Sequence, residues 1–141
     1  MVKSIYHCLW FNGNAKEAAE YYCHIFQESR MLETTELVVR FELKGQRFMG
    51  LNGGPMFAFN EAVSFVIECD DQGEIDYYWH KLSSGGATSQ CGWLKDKFGV
   101  SWQVVPSILA SLMANPETAP QTMKRFMNMT KFDIAQLLAD D

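Results

Sequence analysis

The spacing of apolar residues changes along the chain and predicts a strand followed by a helix near the N-terminus. A short apolar run covers residues 3–11 and ends at a polar segment that contains Gly13. Apolar residues then recur every three or four positions, which is the spacing of one helix face: Ala15, Ala18, Ala19, Tyr22, Ile25 and Phe26. Asn14 followed by Glu17 has the form of a capping box, with Asn14 as the side-chain acceptor.

The same pattern returns further along the chain. The segment AVSFVIECDD (62–71) predicts another strand, and Asp71, which stands 57 positions after Asn14, forms a second cap motif with Glu74. A second apolar stripe follows at helix spacing: Ile75, Tyr78, Trp79 and Leu82. The glycines of SSGG (83–86) predict the end of this helix.

Alternating patterns after each helix predict antiparallel strands. In ELVVRFELK (36–44) the apolar side chains share one face, and Gly45-Gln46 is expected to form a tight turn into the next strand. In the second half, residues 91–96 and 99–106 predict two strands around a turn. We therefore predict an α+β fold in which both halves consist of a strand, a helix and two or three strands.

The last part of the chain departs from this repeat. Ser107 is expected to cap a helix that Asn115-Pro116 ends, and two short apolar segments predict further helices. We expect one domain over residues 1–141, with module one at about 1–57, module two at about 58–106 and a helical tail at 107–141.

Composition excludes several classes of protein. The chain has 141 residues, a formal net charge of −5 and 48% hydrophobic residues, which predicts a folded protein. Lys and Arg are scattered singly, so we expect no nucleic-acid partner, and no apolar run approaches the roughly 20 residues that span a membrane. The four cysteines form no CxxC pair, and we see no export signal, so we predict free thiols and a cytoplasmic location.

Four segments resemble the PhnB-like branch of the vicinal oxygen chelate (glyoxalase/bleomycin-resistance) superfamily. They are LWFNGNAKEAAEYY, FMGLNGGP, SFVIECDDQGEIDYYWHKL and CGWLKDKFGVSWQVVP. The resemblance implies two βαβββ modules, each with a sheet curved around a cavity, and a homodimer. Members of the branch often carry the label 3-demethylubiquinone-9 3-methyltransferase.

The resemblance also implies positions for a metal site, with one ligand from the first and one from the last strand of each module. The superfamily's first-strand His matches His7, and the equivalent position of module two holds Ser64. The last-strand position holds Gln103, where the superfamily has Glu, and Met49 in module one. Because Ser, Gln and Met bind divalent ions poorly, we predict a degenerate site that holds no metal cofactor, although Glu68 on the Ser64 face could supply a carboxylate.

The alternation of the strands predicts which side chains line the cavity. We expect an apolar pocket with a few polar groups, the usual composition of a small-molecule site. Its predicted lining is Ile5, His7, Leu9, Phe11, Ser64, Val66, Glu68, Ser101, Gln103 and Val105. Trp10, Trp102 and Val104 are expected on the opposite faces, against helices.

These patterns favour a protein that binds a small organic molecule. If the protein is an enzyme, His7 is the candidate catalytic residue, and Ser64, Glu68, Ser101 and Gln103 are candidate substrate-binding residues. The alternatives are a non-catalytic sequestering protein of the drug-resistance type and a metal-dependent lyase or dioxygenase. The glycines of LNGGP (51–55) lead into Pro55 and no capped helix, which argues against an S-adenosylmethionine site and a methyltransferase activity. No base is evident near Cys91, so we expect an inert thiol there.

Overall fold

The chain folds into two compact units, Met1–Phe59 (unit 1) and a second that begins at Asn60 (unit 2). The computed structural model describes residues 1–139. Within these residues, no helix has the length and apolar character that crossing a membrane requires. The expected single domain stays a prediction.

Unit 1 contains one helix and one four-stranded sheet. Its elements are β1 (His7–Phe11), α1 (Ala15–Ile25), β2 (Ser29–Thr34), β3 (Val38–Leu43) and β4 (Gln46–Asn52). The strand order is β1-β4-β3-β2, in which β1 pairs with β4 in parallel and the other pairs are antiparallel. Lys44 and Gly45 both have positive φ and form the β3–β4 turn, one residue earlier than the Gly45-Gln46 turn that we predicted.

The core of unit 1 lies between α1 and one face of this sheet. Ala18, Ala19 and Tyr22 of α1 are fully buried. The Tyr22 ring stacks on Phe41 with 6.2 Å between centroids, and Phe41 stacks on Phe48 at 5.2 Å. Burial of these aromatic and alanine side chains joins the helix to the sheet.

The predicted orientation of β1 was wrong. A Cβ built on Gly50 would lie 3.1 Å from Ala15 Cβ and 3.5 Å from the Phe11 ring, so Phe11 faces α1. Leu9 is buried on this same face, and His7 lies at its edge. The other face, which we call the open face, therefore carries the side chains at positions 6, 8 and 10.

Trp10 shows this inversion directly. Its indole is half-buried on the open face, where Nε1 donates a hydrogen bond to the Gly54 carbonyl at 2.9 Å. A Cβ on Gly53 would lie 2.4 Å from the indole, so the ring packs on the Gly53 backbone and not on α1. Ile5, which we expected in the cavity, precedes β1 and is exposed.

The N-terminus of α1 is capped by a residue distant in sequence. Asn14 occupies the N-cap position, but its side chain makes no cap hydrogen bond. The Ala15 N–H instead donates to Asn52 Oδ1 at 2.9 Å, and Asn52 Nδ2 donates to the Glu36 carbonyl. The predicted capping box of module one was therefore wrong, since the end of β4 supplies its acceptor.

Unit 2 has the same order of strands. Its elements are β5 (Ser64–Cys69), α2 (Gln72–Ser83), β6 (Ala87–Thr88), β7 (Trp93–Lys95), β8 (Ser101–Pro106), α3 (Leu109–Ala114), α4 (Ala119–Phe126) and α5 (Ile134–Leu137). The sheet order is β5-β8-β7-β6, and β5 pairs with β8 in parallel. Two four-stranded mixed sheets with helices confirm the predicted α+β class.

The helix-covered face of the second sheet follows the prediction. Trp102 and Val104 are buried, and the Trp102 ring lies 5.3 Å from that of Phe65 on the adjacent strand. Ile75 and Leu82 of α2 are fully buried. Asp71 Oδ1 accepts from the Glu74 N–H at 2.8 Å, so the predicted cap of α2 is confirmed.

The tail holds the start of β7 through backbone hydrogen bonds. The Cys91 and Gly92 N–H groups donate to the Met129 and Thr130 carbonyls, both at 2.8 Å. A Cβ on Gly92, where φ is +80°, would lie 2.6 Å from the Val104 carbonyl oxygen. Only glycine fits this conformation without strain.

The predicted cap of the first tail helix was wrong. Ser107 lies one residue before the N-cap of α3, and its hydroxyl donates to Asp70 Oδ1 at 3.0 Å. The residue at the N-cap itself, Ile108, offers no side-chain acceptor. The serine therefore joins the end of β8 to the end of β5.

Candidate functional site

A buried carboxylate shapes the turn that leads into β8. Asp96 is 3% exposed, and its Oδ1 accepts from the N–H groups of Phe98 and Val100 at 2.8 and 3.0 Å. Its Oδ2 accepts from Trp102 Nε1 at 2.9 Å. Because one side chain fixes both the turn and Trp102 of β8, it sets which residues of β8 point away from α2.

The face of the second sheet that points away from α2, which we call its open face, brings three of the predicted site residues together. Ser64 pairs with Ser101, and Gln103 lies two residues further along β8 on the same face. Gln103 Nε2 donates to Ser64 Oγ at 3.0 Å. On the neighbouring strand, Trp93 pairs with Gln103 and Lys95 pairs with Ser101. These five residues form one patch of polar and aromatic side chains.

A pocket of about 530 Å³ adjoins this patch. Trp93, Leu94, Lys95 and Ser101 line it together with Glu61 and residues 87–91, which comprise β6 and the loop after it. Its volume falls within the roughly 300–1,000 Å³ that small-molecule sites occupy. The lining therefore combines a tryptophan, a lysine and a serine, and all of these residues belong to unit 2.

Ser101 is the unusual member of this lining. The residue is 1% exposed, and its Oγ has no hydrogen-bond partner among the described residues. Burying a polar group without a hydrogen-bond partner costs about 1–3 kcal/mol of folding free energy. Such a group in a folded protein therefore calls for an explanation, for example a role in binding. Lys95 Nζ, directly across the strand pair, forms an ion pair with Glu61.

The remaining predicted site residues lie elsewhere. Glu68 is on the same face of β5 but is exposed and outside the pocket lining, opposite the buried Val105. His7 belongs to unit 1, where it is exposed and its ring lies 5.2 Å from Phe48 on the side covered by α1. The catalytic and substrate-binding roles of these residues stay predictions.

Sequence reasoning missed Trp93, Lys95 and Glu61. The sequence pattern of the β7–β8 hairpin could have indicated the first two. Positions 93 and 95 alternate with the buried Leu94, so they share a face, and the Lys97–Gly99 turn pairs them with Ser101 and Gln103. Glu61 precedes β5 in a segment without periodic pattern, and only the folded structure places it beside Lys95.

The two sheets have the same order of strands, so the residues at equivalent strand positions can be compared with the metal ligands of the superfamily. The open-face residue that corresponds to Ser64 in unit 1 is Tyr6, and the one that corresponds to Gln103 is Met49. Within residues 1–139, no three His, Cys, Asp or Glu side chains are grouped so that they could hold an ion. A hydroxyl, an amide, a phenol and a thioether do not fit a divalent metal, and Ser64 and Gln103 bond to each other.

One cysteine, Cys69 of β5, is buried on the helix-covered face of the second sheet. Cys69 is 1% exposed, and burial, followed by the nearby Glu74 and Asp71 carboxylates, raises the pKa of its thiol to about 12. Partial burial also raises the pKa of the Cys8 thiol, which lies on the open face of unit 1. All four cysteines are free thiols, as predicted. Cys91 Sγ contacts the Phe126 carbonyl oxygen at 3.6 Å.

In each unit, one helix follows the first strand and three strands follow the helix, and the first and last of the four strands pair in parallel. Two such units define the vicinal oxygen chelate fold. Solved structures of low identity share it. Protein PA1353 from Pseudomonas aeruginosa is 20% identical over 74% of this chain and 98% of its own, with a TM-score of 0.60. The fosfomycin resistance protein FosX from Listeria monocytogenes, complexed with Mn(II) and sulfate, is 12% identical over 89% and 99%, with a TM-score of 0.56.

The chain belongs to the PhnB-like family described as 3-demethylubiquinone-9 3-methyltransferase, whose model matches residues 3–105. A PhnB protein from Bacillus cereus, described as a putative 3-demethylubiquinone-9 3-methyltransferase, is 32% identical. The match covers 73% of this chain and 99% of that one, with a TM-score of 0.67. A comparison with curated protein sequences gave no significant match.

Proposed function

We propose that this PhnB-like protein binds a small organic molecule in the pocket of unit 2 and that it does so without a metal centre. The observation that carries the proposal is the buried Ser101, a lining residue of a pocket of suitable volume, whose hydroxyl has no hydrogen-bond partner among the described residues. A ligand oxygen that accepts from this hydroxyl would remove the cost of leaving it unsatisfied. Trp93 supplies an aromatic wall, which favours an aromatic or flat ligand.

Non-catalytic binding is the form of this function that the pocket supports best. The described lining contains no histidine and pairs its lysine with Glu61, so it offers no evident free base. An enzymatic role with His7 as acid or base would need a different site. A metal-dependent lyase or dioxygenase finds less support, because the chelate positions carry neutral donors. The family's description names a methyl transfer, but Gly53 and Gly54 lead into a segment without a helix, which does not favour an S-adenosylmethionine site.

A matched pair of serine variants tests the pocket. The probes are neutral aromatic amides and alcohols, and the assay is a thermal shift combined with quenching of tryptophan fluorescence. We expect at least one probe to stabilise the protein, and Ser101→Ala to weaken that probe about tenfold, the loss of about 1.4 kcal/mol. Ser111→Ala removes an exposed hydroxyl bonded to the Ile108 carbonyl and should leave binding unchanged. Equal effects of the two variants would refute the assignment.

Metal analysis tests the second part of the proposal. We expect the purified protein to carry less than a tenth of an equivalent of any divalent metal after incubation with Mn(II) and gel filtration. His7→Ala should not alter this content. A stoichiometric metal that this variant loses would contradict the proposed degenerate site and favour a chelate enzyme.

The proposal includes a homodimer and a cytoplasmic location. Four free thiols support a reducing compartment, because oxidising compartments favour disulfides. Sedimentation velocity of the whole chain tests the dimer, and a monomer at all concentrations would contradict it.

A further inference from the structure

Three of the four arginines in the chain lie on one face of the unit 1 sheet. Arg30 of β2 pairs with Glu42 of β3, and Glu42 pairs with Arg47 of β4, so these side chains share the open face. Arg40 lies two residues before Glu42 on β3 and points the same way. In a protein of net charge −5, this concentration of guanidinium groups stands apart from the rest of the surface.

Two of these arginines converge on one aromatic ring. Arg40 Nη1 donates a hydrogen bond to Tyr6 Oη at 3.0 Å. The guanidinium carbons of Arg40 and Arg47 lie 5.7 and 5.5 Å from the centre of the Tyr6 ring. Because the phenol oxygen accepts from Arg40, its own hydrogen remains able to donate outward. The cluster therefore presents O–H and N–H donors around one point.

Among the described residues, the carboxylates on this face form ion pairs with the other two arginines and not with Arg47. Glu42 binds Arg30, with contacts of 3.0 and 3.4 Å, and Glu33 pairs with Arg40 at 3.6 Å from an exposed position. Arg47 forms no ion pair within the described part of the chain, although Glu42 lies near enough for Arg47 to lower the pKa of that carboxyl further. A guanidinium without a bound carboxylate is suited to bidentate recognition of an oxyanion.

Apolar side chains continue the face beside the donors. Met49 of β4 pairs with Arg40 on one side and with Cys8 of β1 on the other, and both Met49 and Cys8 are at least partly exposed. A ligand held by the arginines would therefore lay its carbon skeleton on a thioether and a thiol. This arrangement requires a charged oxygen head and an apolar body in one molecule.

From this geometry, we propose that Tyr6, Arg40 and Arg47 form a binding site for the oxyanion group of a small organic acid, whose apolar body rests on Met49 and Cys8. The residues all belong to unit 1 and share none with the pocket, so the site does not depend on the function proposed above. Carboxylate and phosphonate heads share the required chemistry, and the experiment distinguishes them.

Calorimetric titration of the whole chain with benzoate, phenylphosphonate, inorganic phosphate and neutral benzamide tests the site. We expect benzoate or phenylphosphonate to bind at least tenfold more tightly than both benzamide and inorganic phosphate, because each of the latter lacks one half of the required chemistry. Affinity that rises from benzoate to phenylphosphonate would identify a phosphonate-type head, and the reverse order a carboxylate. Equal binding of the acids and benzamide would overturn the proposal.

Variants on the same face supply the control. Arg47→Gln should weaken the acid at least tenfold and Tyr6→Phe about threefold, while Arg30→Gln, which removes the same charge from a guanidinium already held by Glu42, should weaken it less than threefold. Circular dichroism melts establish that each variant folds. Equal losses in Arg47→Gln and Arg30→Gln would indicate only general attraction by positive charge and would overturn the proposal. Loss in Ser101→Ala without loss in Arg47→Gln would assign the acid to the pocket of unit 2, with the same consequence.

Discussion

The Asp96 carboxylate offers the sharpest test of how the second sheet is held in position. Replacing it by alanine leaves three donors without their acceptor, and the Val100 N–H and Trp102 indole N–H bonds are both buried. Each buried donor left unsatisfied costs about 1–3 kcal/mol. Removing a buried charge recovers part of this, so we expect Asp96→Ala to lower the free energy of unfolding by about 3 kcal/mol.

Asp96→Asn divides this cost between the turn and the indole. The amide can keep its oxygen on the two backbone N–H groups, but its NH₂ then replaces Oδ2 and faces the Trp102 indole N–H. Two donors would point at each other, so we expect a loss of about 2 kcal/mol. Trp102→Phe removes the indole N–H and keeps an aromatic ring beside Phe65. In that background, Asp96→Asn should cost about 1 kcal/mol less than in the native sequence.

Urea unfolding followed by far-ultraviolet circular dichroism measures the four proteins of this double-mutant cycle. Tryptophan fluorescence is unsuitable, because one of the substitutions removes a tryptophan. If Asp96→Asn costs the same with and without the indole, the hydrogen bond between the two side chains does not contribute. If Asp96→Ala changes stability by less than about 0.5 kcal/mol, the whole account of the turn is wrong.

Three further predictions concern Gly92, the cap of α1 and the cysteines. Gly92→Ala should destabilise by about 2 kcal/mol or more in urea unfolding, because its Cβ would meet a carbonyl oxygen at 2.6 Å in a positive-φ backbone. A near-native stability would contradict that clash. Asn52→Ala should cost about 1 kcal/mol through loss of the α1 cap, while Asn14→Ala should cost little; the reverse order would restore the sequence-based cap. At pH 8, below the thiol pKa of about 12, Cys69 should resist labelling by a disulfide reagent in the native state, whereas the exposed Cys8 should label; equal labelling, measured by mass spectrometry, would refute this burial.

Local patterns were sufficient for much of unit 2. The Asp71 cap, the helix that follows it and the alternation of Trp102 with Gln103 all depend on residues within a few positions of each other. Short-range signals of this kind are present in the sequence itself. For the same reason, the face that carries Ser64 and Gln103 was predicted correctly.

Long-range interactions explain most of the failures. The cap of α1 comes from Asn52, which is 37 residues away from the N–H that it accepts. The two-residue strand β6 is too short for a periodic pattern, and β2 has a mixed pattern with an irregular register against β3. Two features arise only when segments distant in sequence come together: the burial of the Ser101 hydroxyl without a hydrogen-bond partner among the described residues, and the ion pair of Lys95 with Glu61.

The inverted face of β1 follows from a single extra residue in a connection. In unit 1, the N-cap residue Asn14 lies three residues after Phe11, the last side chain of β1 that faces the helix. In unit 2, the N-cap residue Asp71 lies only two residues after Cys69, the last side chain of β5 that faces the helix. Gly13, with φ at +84°, lies in the longer connection. Side chains alternate with period two, so one added residue exchanges the faces of the strand before it. Matching the two helix caps therefore aligned His7 with Ser64, although the strands themselves align Tyr6 with Ser64.

This corrected alignment changes what the chelate positions mean. In unit 1 the first chelate position is Tyr6, directly before β1, whose oxygen accepts from Arg40, and in unit 2 it is Ser64, at the start of β5, whose oxygen accepts from Gln103. Both first-strand oxygens thus bond to donors on other strands of their own sheets, and neither is an anionic ligand. A metal would have to displace these bonds and would gain only weak donors. In both units these positions carry hydrogen-bonding groups that suit an organic ligand better than a divalent metal.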